Sequence, residues 1–307
     1  MKFAFVMDPL EKVKAYKDTT YFLMLAAQER DHDVYYLNQR DLHFQSSEVI
    51  AQLTQLEVHA TVDKPFTRHQ AHLCPLSEMD VVFIRTDPPF DRAYLYATLL
   101  LDLLPASTRV INRPEALRNW NEKLSALFFP ALIPATLITN EASRIHDFMM
   151  DIGRIALKPV DGHGGQGILF LDSNDKNADQ MIQMITHQGS HWVIAQQYMS
   201  AAVEGDKRIL LVNGEPLGGI LRLHPEGKEL NNLDAGGTAH SAELNQHDLE
   251  ICEALKSPLL DQGVYFAGID VIGGRLIEIN VTSPTGLQEL CRFSGKDFHH
   301  DIIAGLE

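Results

Sequence analysis

The sequence predicts an open, mostly parallel α/β sheet in its first third and an antiparallel α+β arrangement after it. Three observations carry that expectation. Short apolar runs alternate with a helical segment up to about residue 121, and the pattern then changes. Two hairpin signatures, Asn213-Gly214 and Gly273-Gly274, stand in the C-terminal part. Residues 3–7 read as the first strand and residues 34–37, 79–84 and 109–111 as the next three. Between the first two strands, residues 19–30 (TTYFLMLAAQER) have helical character, with Asp18 as N-cap. Residues 45–74 are polar and His-rich and receive no assignment. After residue 121, residues 155–160 (IALKPV) are a strand leading into a glycine-rich turn, and residues 192–198 are another. Residues 207–212 and 215–221 form a hairpin with a type I′ turn, and residues 266–281 form a second. The expected organisation is an α/β part over residues 1–121, a small middle part over 122–200 and a C-terminal part over 201–307.

Composition narrows the function classes. The 307 residues, 45% apolar and 22% charged, are those of a water-soluble globular chain with two or three cores. With 26 basic and 41 acidic residues the formal charge is −15, which repels a phosphate backbone and argues against nucleic-acid binding. The cysteines, Cys74, Cys252 and Cys291, are odd in number, far apart and in no Cys-x-x-Cys motif, so neither a disulfide framework nor a zinc site is expected. The 14 histidines show no HExxH or His-x-His pattern and read as surface or packing residues. The opening MKFAFVMDP is too short for a signal-peptide core, and no apolar run approaches the roughly 18 residues of a membrane helix. A cytoplasmic protein without a membrane partner is expected.

The second hairpin, FAGIDVIGGRLIEIN, carries the clearest chemistry. Glu278 and Asn280 are two apart on one strand and face the same side. Whether Asp270 joins them depends on the turn. A two-residue turn pairs Ile272 with Arg275 and turns Asp270 away. A three-residue Gly273-Gly274-Arg275 turn sets Asp270 opposite Glu278, and this is the register expected here. The set then offers hard oxygen ligands suited to Mg²⁺ bridging nucleotide phosphates, where the alternative is an exposed edge hairpin. In KPVDGHGGQG, Gly162, Gly164, Gly165 and Gly167 allow N–H groups to cradle phosphates, although an ordinary flexible turn has the same composition. Lys158, inside an apolar strand, is costly to bury unless an anion meets it. Arg208 is able to clamp a carboxylate or phosphate in bidentate fashion. Asp8 and Arg85 each follow a strand directly, at the edge where open α/β sheets bind ligands.

Taken in order, VMDP (6–9), IRTDPPFD (84–91), INRPEALRNWNEKL (111–124), LKPVDGHGGQG (157–167), GDKRILLVNGEP (205–216), DAGG (234–237) and GIDVIGGRLIEINVTSPTG (268–286) resemble the bacterial glutathione synthetase family across nearly the whole chain. The resemblance implies an ATP-grasp fold: an N-terminal α/β domain, a small lid and a C-terminal α+β domain, with ATP between two antiparallel sheets. It implies that Lys123 and Lys158 contact ATP phosphates and that Gln196, Gln197, Tyr198 and Met199 supply the adenine hinge. Asp270, Glu278 and Asn280 would hold Mg²⁺, or Mn²⁺ in its place, and Arg208 would stabilise an acyl phosphate. Asp8, Arg85, Asn280, Ser283, Gly236 and Gly237 would serve the substrates. The implied reaction is ATP-dependent ligation of γ-glutamylcysteine and glycine by a homo-oligomer.

Two departures stand out. Leu230 and Gln288 occupy positions where the family usually carries arginine. They leave open a diverged ligase with another acyl or amine substrate, or a nucleotide-binding relative without ligase activity. Residues 224–237, polar and rich in Gly and Pro, are expected to close over the site as a lid.

Overall fold

The computed structural model describes residues 1–162, 164–225 and 236–307. The expected lid falls largely on residues 226–235, and with Leu230 it lies outside the described residues.

The first sheet forms as expected at its centre. Strand β1 (Lys2–Val6) pairs in parallel with β2 (Asp33–Leu37). Helix α1 (Thr19–Glu29) connects them and is capped by Asp18, whose carboxylate accepts the Tyr21 N–H at 2.8 Å. The unassigned segment proves to be all strand: β3 (Leu42–Gln45), β4 (Glu48–Val58), β5 (Phe66–Arg68) and β6 (His72–Pro75). Strand β4 alternates buried Val49, Ala51 and Leu53 with half-exposed residues and pairs antiparallel with β2. Its polar alternate face and the exposed His43 and His72 on β3 and β6 belong to a sheet edge, where charge and polarity block further pairing. Strand β7 (Val81–Ile84), helix α2 (Arg92–Leu101), strand β8 (Arg109–Ile111) and helix α3 (Pro114–Asn119) complete the unit. The strand order is β3-β4-β2-β1-β7-β8, with β5 and β6 on β4.

A second sheet follows. It consists of β9 (Thr136–Thr139), β10 (Ile155–Pro159), β11 (Leu169–Leu171) and β12 (Val193–Gln197) in the order β11-β10-β12-β9, all antiparallel. Helices α4 (Ala142–Ile152) and α5 (Ala178–Ile185) bury Ile145, Met149 and Ile182 against Ile155, Leu157 and Val193, a core of its own. The third sheet contains β13 (Asp206–Val212), β14 (Glu215–Leu223), β15 (Thr238–Ala242), β16 (Phe266–Ile272) and β17 (Arg275–Asn280), in the order β15-β14-β13-β16-β17. Asn213 and Gly214 have φ of 51° and 76°, the left-handed pair a type I′ turn requires.

Helix α6 (Gln246–Gln262) packs on the third sheet, and helices α7 (Leu287–Ser294) and α8 (Phe298–Ala304) return to pack on α1. The apolar core is shared between the first and third sheets: Val82, Ile84 and Trp120 belong to one cluster with Ile209, Ile269 and Ile279. One buried side chain joins the two sheets through four backbone bonds. Asn112 Nδ2 donates to the carbonyls of Phe266 and Val281, each at 2.7 Å, and Asn112 Oδ1 accepts the N–H groups of Tyr265 and Phe266 at 2.8 and 2.9 Å. Among the described residues no helix is long and apolar enough to cross a membrane.

Candidate active site

The β16–β17 hairpin reaches the expected outcome by a different route. Gly273 and Gly274, with φ of 55° and 73°, make a two-residue turn that pairs Ile272 with Arg275. The three-residue turn expected from sequence is therefore wrong. A bulge corrects the phase: Val271 pairs with Leu276 but Asp270 with Glu278, so Ile277 is the extra residue. One added residue reverses which face every later side chain takes, and Asp270 comes to stand opposite Glu278. Gly268 lies opposite Asn280, and Asp270, Glu278 and Asn280 line one cavity of about 390 Å³ between the second and third sheets.

Asp270 is held by two arginines. Arg208 on the neighbouring β13 donates from Nε to Oδ1 at 2.5 Å and from Nη2 to Oδ2 at 3.0 Å. Arg222 on β14 reaches Oδ2 at 3.0 Å and also clamps Asp206 through two bonds of 2.8 and 2.6 Å. Burial works to raise the Asp270 pKa, but the two guanidiniums outweigh it and hold the carboxyl well below the usual carboxylate range. The bidentate partner anticipated for Arg208 is thus, in this structure, a carboxylate of the chain itself. Asn280 Nδ2 stands 3.4 Å from Asp270 Oδ2.

On the facing sheet, Lys158 lies on β10 and is buried. Its Nζ donates to Gln196 Oε1 at 2.9 Å, and Gln196 Nε2 donates in turn to Thr136 Oγ1 at 3.0 Å. Burial lowers the Lys158 pKa, while Glu278 and Asp270 pull it upward. The hydrogen-bond partner of this buried ammonium is thus a neutral amide, with Glu278 and Asp270 acting on it through space. Lys123 donates to the Gly162 carbonyl and stands 3.7 Å from Glu278 Oε1. Gln196, Gln197, Tyr198 and Met199 line the same cavity at the end of β12, as do Gly164 and Gly165. The N–H groups of Gln197 and Tyr198 are taken by the carbonyls of Ala135 and Arg154, each at 2.9 Å. Gly162 borders a smaller adjoining cleft with Lys123. Gly167 lines neither space: a Cβ there would sit 2.9 Å from Pro159 Cγ, and its φ is 73°, so its role is to let the loop fold back on Pro159.

A second cavity of about 360 Å³ opens at the carboxyl edge of the first sheet. Asp87, Pro88, Ser283 and Thr285 line both cavities, so the two adjoin. Asp8 borders it and accepts the Asp87 N–H at 2.9 Å. Arg85 is buried there, donating from Nε to Thr20 Oγ1 at 3.1 Å and from Nη2 to the Pro284 carbonyl at 2.9 Å. Its Nη1 is buried with no partner among the described residues. A buried guanidinium with an unsatisfied nitrogen, on a residue that lines a cavity, favours an anionic ligand there. Ser283 Oγ lies 3.4 Å from the Arg85 carbonyl.

Gln288 is not among the residues that line the two cavities. Its Nε2 donates to the carbonyls of Ala15 at 3.0 Å and Asp18 at 2.7 Å, pinning the loop that carries Lys12, Lys14 and Lys17 over the second cavity. Gly236 and Gly237 lead into β15 and line neither cavity. Arg222, Asp206 and Glu122 line the first cavity and were not read from sequence. Glu122 Oε1 accepts the N–H groups of Val281 and Thr282 at 3.1 and 3.0 Å, and so fixes the chain between Asn280 and Ser283. Glu122 stands inside the NWNEKL block, and Arg222 interrupts the apolar GGILRL strand as Lys158 interrupts its own. The same question, what anion meets a strand-borne cation, would have found it.

The sequence profile described as "Prokaryotic glutathione synthetase, N-terminal domain" matches residues 1–118, and "Prokaryotic glutathione synthetase, ATP-grasp domain" matches residues 122–295. The chain belongs to the prokaryotic glutathione synthetase family. Among its relatives, the glutathione synthetase of Synechococcus elongatus is 42% identical over 318 residues, covering 100% of this chain and 98% of that protein. That of Vibrio parahaemolyticus is 38% identical, covering 94% and 92%. In fold, the chain resembles the D-cycloserine synthetase DcsG, with a TM-score of 0.68 and 16% identity over the whole of both chains. It also resembles the ATP-grasp ligase PsnB, with a TM-score of 0.64 and 16% identity over 99% of this chain and 97% of PsnB. The expected ATP-grasp fold is therefore present, and with the family it makes this chain an ATP-dependent ligase that forms a C–N bond.

Proposed function

We propose that the chain joins γ-glutamylcysteine to glycine through an acyl phosphate. The cysteinyl carboxylate attacks the γ-phosphorus of ATP, the bond to the β,γ-bridging oxygen breaks, and ADP leaves. The glycine amine then attacks the acyl carbon, the C–O bond to phosphate breaks, phosphate leaves and the amine gives up a proton. The observation that carries this reading is the adjacency of two cavities, one walled by Lys123, Lys158 and the Asp270 set, the other by Arg85, whose Nη1 has no partner among the described residues. Residues 1–121, 122–200 and 201–307 are taken as its substrate, lid and C-terminal parts.

Positioning and charge neutralisation suffice for chemistry of this kind. Lys123 and Lys158 are assigned to the ATP phosphates, the loop at Gly162, Gly164 and Gly165 to covering them, and the end of β12 to the adenine. The donor set fits Mg²⁺ or Mn²⁺: Asp270 is ionised, Glu278 and Asn280 face the same space, and all three offer hard oxygens. Such an ion would neutralise phosphate charge. Arg208 and Arg222 keep Asp270 ionised and oriented, Arg85 receives a substrate carboxylate, and Glu122 holds Ser283 in place. A cytoplasmic homo-oligomer is part of the same reading, checked by light scattering. The test of the function is ADP release with γ-glutamylcysteine, adding glycine or other amines in turn. Release that requires both partners supports it. Release with another amine or acyl donor only would give the site to a different ligase reaction.

Two substitutions probe the assignments. Lys158→Ala is expected to weaken ATP binding by roughly ten- to a hundredfold, the worth of a charge-assisted hydrogen bond. It should leave the folded state intact, because removing a desolvated charge relieves a penalty. Calorimetry with ATP checks this, and unchanged affinity would make Lys158 a structural residue. Gln288→Ala removes two bonds to the loop at residues 15–18 and is expected to raise KM for the acyl substrate roughly five- to thirtyfold, with kcat little changed. An effect on KM for glycine alone would mean that Gln288 serves the amine instead.

A further inference from the structure

Two of the histidines, expected to be packing or surface residues, stand together with a carboxylate. We propose that Glu29, His299 and His300 form a divalent-cation site of the zinc class, separate from the nucleotide site. Glu29 ends α1, and the two histidines stand in the first turn of α8, which packs on α1. One ligand atom from each of the three lies within 4.8 Å of the others. His300 Nε2 is already 3.1 Å from Glu29 Oε2. Ligands at about 2.0–2.1 Å in a tetrahedron stand about 3.3 Å apart, so that edge needs no movement. The His299 ring is fixed by stacking on Phe22 at 3.8 Å, so the two edges to it close by rotation of the His300 and Glu29 side chains together.

The surroundings favour a cation. Arg30, the nearest basic neighbour in the chain, is neutralised by Glu307 through two bonds of 2.7 Å, so its charge does not oppose an incoming ion. Asp297 and Asp301 lie within electrostatic reach of His299. Two imidazole nitrogens and one carboxylate, with room left for water on the open side, are the donors of Zn²⁺, Co²⁺ or Ni²⁺ rather than of Mg²⁺. The hairpin set offers only oxygens and selects the opposite class, so the two sites are separable by chemistry. Bound there, the ion would tie the last turn of α1 to the last helix of the chain. The first turn of that same α1, at Thr19 and Thr20, borders the second cavity.

The experiment uses the full chain without a histidine tag, stripped of metal and saturated with MgADP to occupy the hairpin site. Zn²⁺ is titrated by competition with a chromogenic chelator, and Co²⁺ absorption reports the donors. One Zn²⁺ per chain is expected, with a Co²⁺ spectrum lacking thiolate charge transfer. Glu29→Gln and His300→Ala, both at accessible side chains, should each weaken Zn²⁺ binding about tenfold or more. Glu278→Gln should leave it unchanged. The unsubstituted chain should also melt at a higher temperature with Zn²⁺, and the two variants should not. Equal Zn²⁺ affinity in Glu29→Gln and His300→Ala would overturn the site. So would loss of binding in Glu278→Gln alone. Because Cys291 Sγ lies 3.9 Å from His299 Nδ1, loss in Cys291→Ser with a thiolate spectrum would equally reject the proposed donors.

Discussion

Asp270→Asn is expected to lower ADP release by about a hundredfold or more and to destabilise the chain at the same time. The two effects share one cause. Asp270 is the anion against which Arg208 and Arg222 are buried. An asparagine keeps the shape but leaves two buried guanidiniums with Asp206 as their remaining carboxylate. Removing one partner of a buried ion pair costs about 3–5 kcal/mol, and denaturant midpoints should fall accordingly. Glu278→Gln separates the effects. Glu278 is half-buried, 3.7 Å from Lys123, and outside the arginine cluster. Its loss should reduce turnover with little change in midpoint. The pH dependence follows from the sign of the shift. The folded pKa of Asp270 is depressed below its unfolded value of about 3.9. Its contribution is therefore fully present above that value and is lost as pH falls through the folded one. Stability should hold through mildly acidic pH, and Asp270→Asn should flatten the strongly acidic limb of the curve. Unchanged turnover and unchanged midpoint in Asp270→Asn would sink both the metal assignment and the ion-pair account.

Asn112→Ala is expected to produce the largest loss of stability among neutral substitutions. Four backbone groups of the third sheet and its exit chain are satisfied by this one side chain. Alanine orphans two N–H donors and two carbonyls in a buried seam. Each orphaned group costs about 1–3 kcal/mol, and because they share one site the sum is expected near 4 kcal/mol. Asn112→Asp retains the acceptor for Tyr265 and Phe266 but loses the donor and buries a carboxylate, so it should be no better. The measurement is chemical denaturation, with nucleotide affinity of the folded fraction as the second readout. Since Asn112 borders neither cavity, that affinity should change little. A midpoint within about 0.5 kcal/mol of the unsubstituted chain would show that water replaces these bonds without cost.

The legible parts of this protein are those whose signal is local. Asp18 caps α1 because its side chain reaches an N–H three residues on, and nothing distant is needed. Asn213-Gly214 dictates its turn for the same reason, since both residues tolerate a positive φ. Lys158 was conspicuous because an ammonium inside IALKPV contradicts its neighbours. The β4 strand was harder to see, because its alternation breaks at Gln55, a polar residue in phase with the buried Val49, Ala51 and Leu53. At Gln288 the sequence shows only a glutamine where the resemblance leads one to expect arginine; that its amide holds a loop 270 residues earlier in the chain needs the tertiary structure. For Gly167 the sequence shows a glycine but not the ring of Pro159 that leaves no room for a Cβ.

Sequence by itself determined the central strands of the first sheet, the position of both hairpins, the type I′ turn at Asn213-Gly214 and the family, because each is carried by neighbours within a few positions or by contiguous blocks. Tertiary structure alone decided the phase of the β16–β17 hairpin. Two glycines gave a two-residue turn, and only a bulge at Ile277 brought Asp270 to the side of Glu278. A bulge is fixed by how β17 must lie against its neighbours and leaves no mark in composition. Tertiary structure also made Asn112 the joint between sheets, and it set Glu29 beside two histidines 270 and 271 residues later. Contacts at that separation depend on which helices pack together, and no period or spacing in the chain encodes them.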